Sequence, residues 1–212
     1  MRHASPSFAV EVGNDGQQSR PTMKVGVFFE RDGILTVAPS DGVAGRPPAH
    51  LGEFRVREDL ADVLMELRQA GFLLFATTNQ PGLTSGAVSR REVDLMHAML
   101  TRKLGLDGVL VCPHAADDGC PCRKPQAGLL VEAAHRYKLD LQHSFVVSDT
   151  WEDAEMAAAA GATSVLVRSR RNGDTHHDCV VGSVAEAAAK VVEIARGMGT
   201  LQVVAASGRR AS

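Results

Sequence analysis

Between residues 23 and 196, short and almost wholly apolar runs alternate with longer stretches whose apolar positions recur every three or four residues. The runs are KVGVFF (24–29), FLLFATT (72–78), GVLVC (108–112), SFVVS (144–148), TSVLV (163–167) and a shorter CVV (179–181). Their length and lack of strict polar alternation suit strands buried on both faces. The stretches at about 58–70, 89–104, 126–137, 152–160 and 183–196 read as helices. Repeated strand–helix–strand units give right-handed crossovers, so the pattern predicts an α/β fold: a doubly wound, Rossmann-like parallel sheet with helices on both faces. Ser89 with Glu92, and Ser183 with Glu186, have capping-box spacing, and Gly71 and Gly161 stand where helices are expected to end.

Three segments fall outside this pattern. Residues 1–22 are polar and turn-rich, which predicts a flexible leader; residues 197–212 have no clear register and read as a flexible tail. The Pro- and Gly-rich stretch 36–54 is too irregular for an element, and a loop of that length is expected to be functional or mobile. One domain, 23–196, therefore remains, without room for a large cap domain.

Composition narrows the function. Of 212 residues, 44% are hydrophobic and 23% charged, which indicates a globular chain rather than a disordered one. A net charge of −2 argues against a protein that binds nucleic acid by neutralising phosphates. No apolar run reaches the roughly 18 to 20 residues a membrane span needs, and no apolar stretch follows Arg2 as in a secretory signal. A cytoplasmic address and a monomer are the expectations. Cys112, His114, Cys120 and Cys122 crowd into residues 112–122, spacing that suits a metal better than a disulfide framework. Three thiolates and one imidazole satisfy a closed, tetrahedral structural Zn²⁺ site, so a small zinc-binding loop at 112–122 is expected. Cys179, remote from that cluster, reads as a small buried hydrophobe.

In an open parallel sheet, ligands gather beyond the carboxyl ends of the strands. The residues just after the first runs are Glu30-Arg31-Asp32-Gly33, Thr78-Asn79-Gln80, Arg123-Lys124-Pro125, and Asp149 with Asp153 four residues later. Acids converging with one lysine suit a hard divalent cation and a phosphoryl group.

In order and context, FFERDGIL, TTNQPG, CRKP and VVSDTWEDAEMAAAAGA resemble the haloacid dehalogenase superfamily of phosphatases, over roughly residues 23–195. CPHAADDGCPCRKPQAGLL is similar to the small capless branch containing the heptose bisphosphate and histidinol-phosphate phosphatases. The resemblance implies an Mg²⁺-dependent phosphatase of small phosphorylated metabolites, working through a phospho-acyl enzyme. It places the nucleophile and an Mg²⁺ ligand at Glu30, and the general acid and base at Asp32, whose carbonyl also meets the metal. Thr78 and Lys124 would hold the phosphoryl group, Asn79, Gln80 and Arg123 would contact substrate, Asp149 would ligate Mg²⁺, and Asp153 would support Lys124. Heptose 1,7-bisphosphate is the favoured substrate; the short spacing between His114 and Cys120 is compatible with the histidinol-phosphate type.

Three positions depart from the family's pattern. Glu30 stands where the family has Asp; the extra methylene moves the carboxylate by roughly 1 Å, a displacement that can cost about 10²-fold in rate. No Asp-x-Asp occurs elsewhere to replace it. Ser148 stands where Gly is usual, and Ser85 where an Arg often follows. A catalytically impaired, zinc-stabilised binding protein is therefore the alternative. Trp151 reads as an aromatic packed at a helix start, and His50 and Arg46 in the long loop are candidates for substrate contact.

Overall fold

The computed structural model describes residues 23–37 and 47–200. The expected leader, Arg46 and most of the expected tail lie outside the described residues. Strands β1 (Gly26–Glu30), β2 (Thr36–Val37), β3 (Arg55–Val56), β4 (Leu73–Asn79), β5 (Gly108–Cys112), β6 (Phe145–Ser148), β7 (Thr163–Val167) and β8 (Cys179–Val181) alternate with helices α1 (Ala61–Gln69), α2 (Gly82–Ser85), α3 (Arg90–Leu104), α4 (Gly128–Tyr137), α5 (Trp151–Ala160) and α6 (Val184–Gly197). Six strands form one parallel sheet in the order β5-β4-β1-β6-β7-β8. The chain winds outward from β1 to one edge and from β6 to the other, so β1 and β6 flank the topological switch point.

Side chains on successive strand residues point to opposite faces. Val27, Phe29, Leu74, Ala76, Phe145 and Val147 enter one core with the apolar faces of α1, α3 and α6. Phe28, Phe75 and Val146 enter a second core under α4 and α5. The Phe28 and Phe75 rings stack with centroids 5.1 Å apart. Both faces are covered, which is why the strands carry no polar alternation.

The structure departs from the sequence pattern at element ends. The described residues of 36–54 are not structureless: Thr36–Val37 form β2, which pairs antiparallel with β3 just beyond the stretch, and a short 3-10 turn spans Leu51–Glu53. Two-residue strands are too short to leave a period in the sequence. The third expected helix starts at Gly128, two residues late, because Gly128 lies against the cysteine loop. A Cβ there would sit 2.2 Å from the Pro121 carbonyl oxygen, and the Gly128 N–H donates to that oxygen at 3.0 Å. Ser89 and Ser183 do cap their helices, accepting from Glu92 N and Glu186 N at 3.1 Å each. The glutamates do not complete the reciprocal boxes: Glu92 accepts from Leu51 N, and Glu186 from Gly182 N. Helix α5 ends at Gly161 with φ +72°, as its glycine implies. Helix α6 runs through Gly197, one residue into the expected tail.

Candidate active site

The ends of β1, β4 and β6 bring Glu30, Thr78, Asn79 and Ser148 to one rim, where a cleft of about 240 Å³ opens beside Lys124 and Asp153. Glu30 is the last residue of β1 and only 8% exposed. Its Oε2 accepts from Ser148 Oγ at 2.9 Å, while Oε1 lies 3.3 Å from Arg171 Nη2 and 3.8 Å from Lys124 Nζ. Burial pushes the Glu30 carboxyl up to about 8; Lys124 pulls it down, Asp153 raises it, Arg171 lowers it and Asp149 raises it.

Lys124 is buried and forms an ion pair with the wholly buried Asp153, Nζ lying 2.9 Å from Oδ1 and 3.0 Å from Oδ2. Burial works against its ammonium, but Asp153 and then Glu30 hold it above the usual lysine range. Asp153 contributes more than Glu30, so the Asp153 ion pair is what chiefly favours the charged lysine. Asp153 lies in the first turn of α5, where the helix dipole favours an anion, and also accepts from Ser148 Oγ at 2.9 Å and Thr150 Oγ1 at 2.7 Å. The Ser148 hydroxyl thus has one proton and two carboxylates to face.

Asp32 is clamped rather than free. Arg31, fully buried, grips it through Nε at 3.0 Å and Nη2 at 2.8 Å, and Thr78 Oγ1 and Gln80 Nε2 donate to Oδ2 at 3.1 Å each. The remaining Arg31 nitrogen, Nη1, lies 3.0 Å from His97 Nε2. Burial, with Arg31 beside it, lowers His97 to about 4, so the neutral ring can accept that hydrogen bond. Gln80 is 1% exposed and holds both Asp32 and Thr78, outside the cleft wall where a substrate contact was expected. Asn79 does line the cleft, and its Oδ1 accepts from Lys124 N at 3.3 Å. Arg123 lines it too, anchored through Nη1 to the His114 carbonyl at 3.0 Å. His50 is exposed and outside the cleft wall; Ser85 lies at the end of the four-residue α2, also outside it.

Behind Arg123, the cysteine loop gathers its four donors. Cys112 Sγ is 3.6 Å from Cys120 Sγ and 3.7 Å from His114 Nδ1; Cys122 Sγ is 3.6 Å from Cys120 Sγ and 3.2 Å from His114 Nδ1. Zn–S bonds of about 2.3 Å imply tetrahedral S···S edges of about 3.8 Å, so the set fits one zinc ion. Burial, together with the neighbouring thiols, pushes Cys122 up to about 12. Thiols so placed resist ionising together without a cation. Cys179 lies apart, half-buried against the first core, and Trp151 opens α5 beside Gly173 with 39% of its surface exposed.

A HAD-hydrolase-like family model matches residues 121–197. D-glycero-beta-D-manno-heptose-1,7-bisphosphate 7-phosphatase of Pseudomonas aeruginosa is 30% identical over 148 residues, covering 68% of this chain and 80% of that protein. Its counterpart in Yersinia pestis is 31% identical over 177 residues, covering 76% of this chain and 91% of that protein. The chain belongs to the heptose bisphosphate phosphatase family of the haloacid dehalogenase superfamily. The crystal structure of the Bordetella bronchiseptica D,D-heptose 1,7-bisphosphate phosphatase, complexed with magnesium and phosphate, superposes with a TM-score of 0.68 at 28% identity, over 81% of this chain and 99% of that one.

Family motifs do not account for everything at the rim. Arg171, in the loop after β7, bridges two of the acids: Nη2 to Glu30 Oε1 at 3.3 Å and Nη1 to Asp149 Oδ1 at 3.2 Å. The rule that located the other residues would also have found it, since Arg171 follows the end of β7 by four positions, about as far as Asp153 follows β6. The donor chemistry of Glu30 and Asp149, both hard carboxylate oxygens, fits Mg²⁺. Asp149 Oδ1 is buried and accepts no aligned hydrogen bond, as expected of an oxygen suited to a metal cation.

Proposed function

We propose that this chain is an Mg²⁺-dependent phosphatase of a small phosphorylated metabolite, with heptose 1,7-bisphosphate the favoured substrate and residues 23–196 the catalytic domain. The observation that carries this reading is the convergence of Glu30, Asp32 and Lys124 on one cleft at the switch point of the sheet. The substrates named for the relatives support the same choice over histidinol phosphate. Carboxylates of Glu30 and Asp149, with the Asp32 carbonyl, would hold Mg²⁺, which would neutralise charge on the phosphoryl oxygens.

A Glu30 carboxylate oxygen attacks phosphorus, the bond to the ester oxygen breaks, and the Asp32 carboxyl gives its proton to the departing alkoxide. Water then attacks the acyl phosphate, Asp32 takes the water's proton, and the Glu30–phosphorus bond breaks to release phosphate. Lys124, fixed by Asp153, offsets charge on the transferring group, and Arg123 faces the phosphate from the cysteine loop. Arg31, Thr78 and Gln80 hold Asp32 in place, and Thr78, which lines the cleft, would also meet the phosphoryl group. Zinc in the cysteine loop would supply structure, fixing the segment that carries Arg123 and Lys124.

A second reading, a zinc-stabilised relative that binds phosphorylated ligands without turnover, is favoured by one observation: Glu30 is longer than the family's Asp and already engaged by Ser148 and Arg171. Mg²⁺-dependent phosphate release from sugar phosphates and histidinol phosphate separates the two. The native chain is expected to turn over, and Glu30→Asp to change the rate by about 10²-fold. A native chain inert on every substrate, with Glu30→Asp gaining several orders of magnitude, establishes the second reading instead.

A further inference from the structure

Arg171 is placed by a loop that is itself fastened to the Asp149 turn. Ser169 Oγ donates to the Asp149 carbonyl at 2.7 Å, and Asn172 Nδ2 donates to the same carbonyl at 3.2 Å and to Val167 O at 3.1 Å. Ser169 N donates to Asn172 Oδ1 at 2.7 Å, and Trp151 N to the Arg171 carbonyl at 3.0 Å. The backbone of Arg171 and the carboxylate of Asp149 are therefore held in register. Gly33 leaves room for the guanidinium: a Cβ at that position would lie 3.3 Å from Arg171 Nη1. Yet the Arg171 side chain is 45% exposed, so the guanidinium can leave the carboxylates for solvent without disturbing the core.

The guanidinium engages both Glu30 and Asp149, the two carboxylates assigned above to Mg²⁺. A monovalent guanidinium and a divalent ion cannot both take the facing oxygens Glu30 Oε1 and Asp149 Oδ1. The partial exposure of Arg171, and the lack of an aligned hydrogen bond at Asp149 Oδ1, mark it as a partner that can be displaced. We propose that Arg171 is a tethered cation that competes with Mg²⁺ for Glu30 and Asp149 and thereby sets the chain's affinity for the metal. The inference rests on the assignment of those carboxylates as metal ligands.

Its test is a metal titration of the full, zinc-containing chain, using Mn²⁺ followed by electron paramagnetic resonance and Mg²⁺ followed by calorimetry. Removing a competing cation couples directly to metal affinity, so Arg171→Ala and Arg171→Gln should each bind Mn²⁺ roughly tenfold more tightly than the native chain. Arg170→Ala, a neighbouring exposed arginine, should bind as the native chain does, and circular dichroism and the melting midpoint report whether each variant is folded. Native or weaker affinity in both folded Arg171 variants, while Asp149→Asn loses Mn²⁺, overturns the competition and leaves the ligand assignment standing. Unchanged Mn²⁺ binding in Asp149→Asn overturns the ligand assignment itself, and the competition with it.

Discussion

In the cysteine loop, four donors drawn from eleven consecutive residues face one another, thiol against thiol and thiol against imidazole. At the rim, Glu30 from β1 and Asp149 and Asp153 from the segment after β6 meet Lys124 and Arg171. Both regions concentrate groups that repel once ionised. The rim carries its own cations, so its acids are partly balanced within the fold; the loop's donors contact each other in an arrangement that fits a metal ion. Balance from side chains confers adjustability, since a lysine or arginine can serve a ligand's charge as well as an acid's. Balance from a closed metal site confers rigidity.

The comparison can be broken most forcefully at Lys124. Lys124→Met leaves Asp153 buried without its counter-ion, which should cost about 3 to 5 kcal/mol of stability and abolish measurable phosphate release. Denaturant unfolding of Lys124→Met/Asp153→Leu should recover most of the stability while activity stays lost. A double variant as unstable as the single one would show that the pair is not what balances the rim.

The loop comes next. Cys122→Ser should lower bound zinc from about one per chain toward none, measured by elemental analysis, and destabilise the loop by several kcal/mol. Cys112 and Cys120 should then become alkylatable in the folded protein. A native chain purified without zinc, its thiols freely alkylated, would remove the contrast between the two regions.

The last effect concerns pH. The folded Glu30 carboxyl titrates near 8, above its ordinary value of 4.5, so the folded state binds that proton more tightly than the unfolded state. The stability this group contributes is fully present below about 4.5 and is lost as pH rises through about 8. Without added Mg²⁺, the melting midpoint of Glu30→Gln should match the native chain near pH 4.5 and exceed it by about 10 °C near pH 9. A constant difference between the two proteins from pH 4.5 to 9 would mean that Glu30 is already ionised in the fold, balanced fully by Lys124 and Arg171.

Much of this architecture is legible in the chain because its signals are local. Apolar runs such as SFVVS mark strands buried on both faces, and helical stretches between them force parallel crossovers. Cys112, His114, Cys120 and Cys122 are close enough in sequence that spacing alone brings them together. The acids and Lys124 were found because parallel strands deliver their following residues to one edge. What escaped depended on contacts between distant residues. Gln80 belongs to a conspicuous motif, yet its side chain turns inward to Asp32 and Thr78. Ser148 reads as a mere departure until the fold sets its hydroxyl between Glu30 and Asp153, 2.9 Å from each. His97, on α3, reaches Asp32 only through the buried Arg31.

The amino-acid sequence by itself determined a doubly wound sheet, the strand ends that carry the acids and the donor set of a zinc loop, because each follows from periodicity or short spacing. Only the tertiary structure decided which charges meet. Arg171 lies 141 positions from Glu30, and their 3.3 Å contact exists because β1 and β6 flank the switch point while the loop after β7 is fastened to the Asp149 turn. Such pairings are set by the sum of many packing contacts, and no local pattern encodes them.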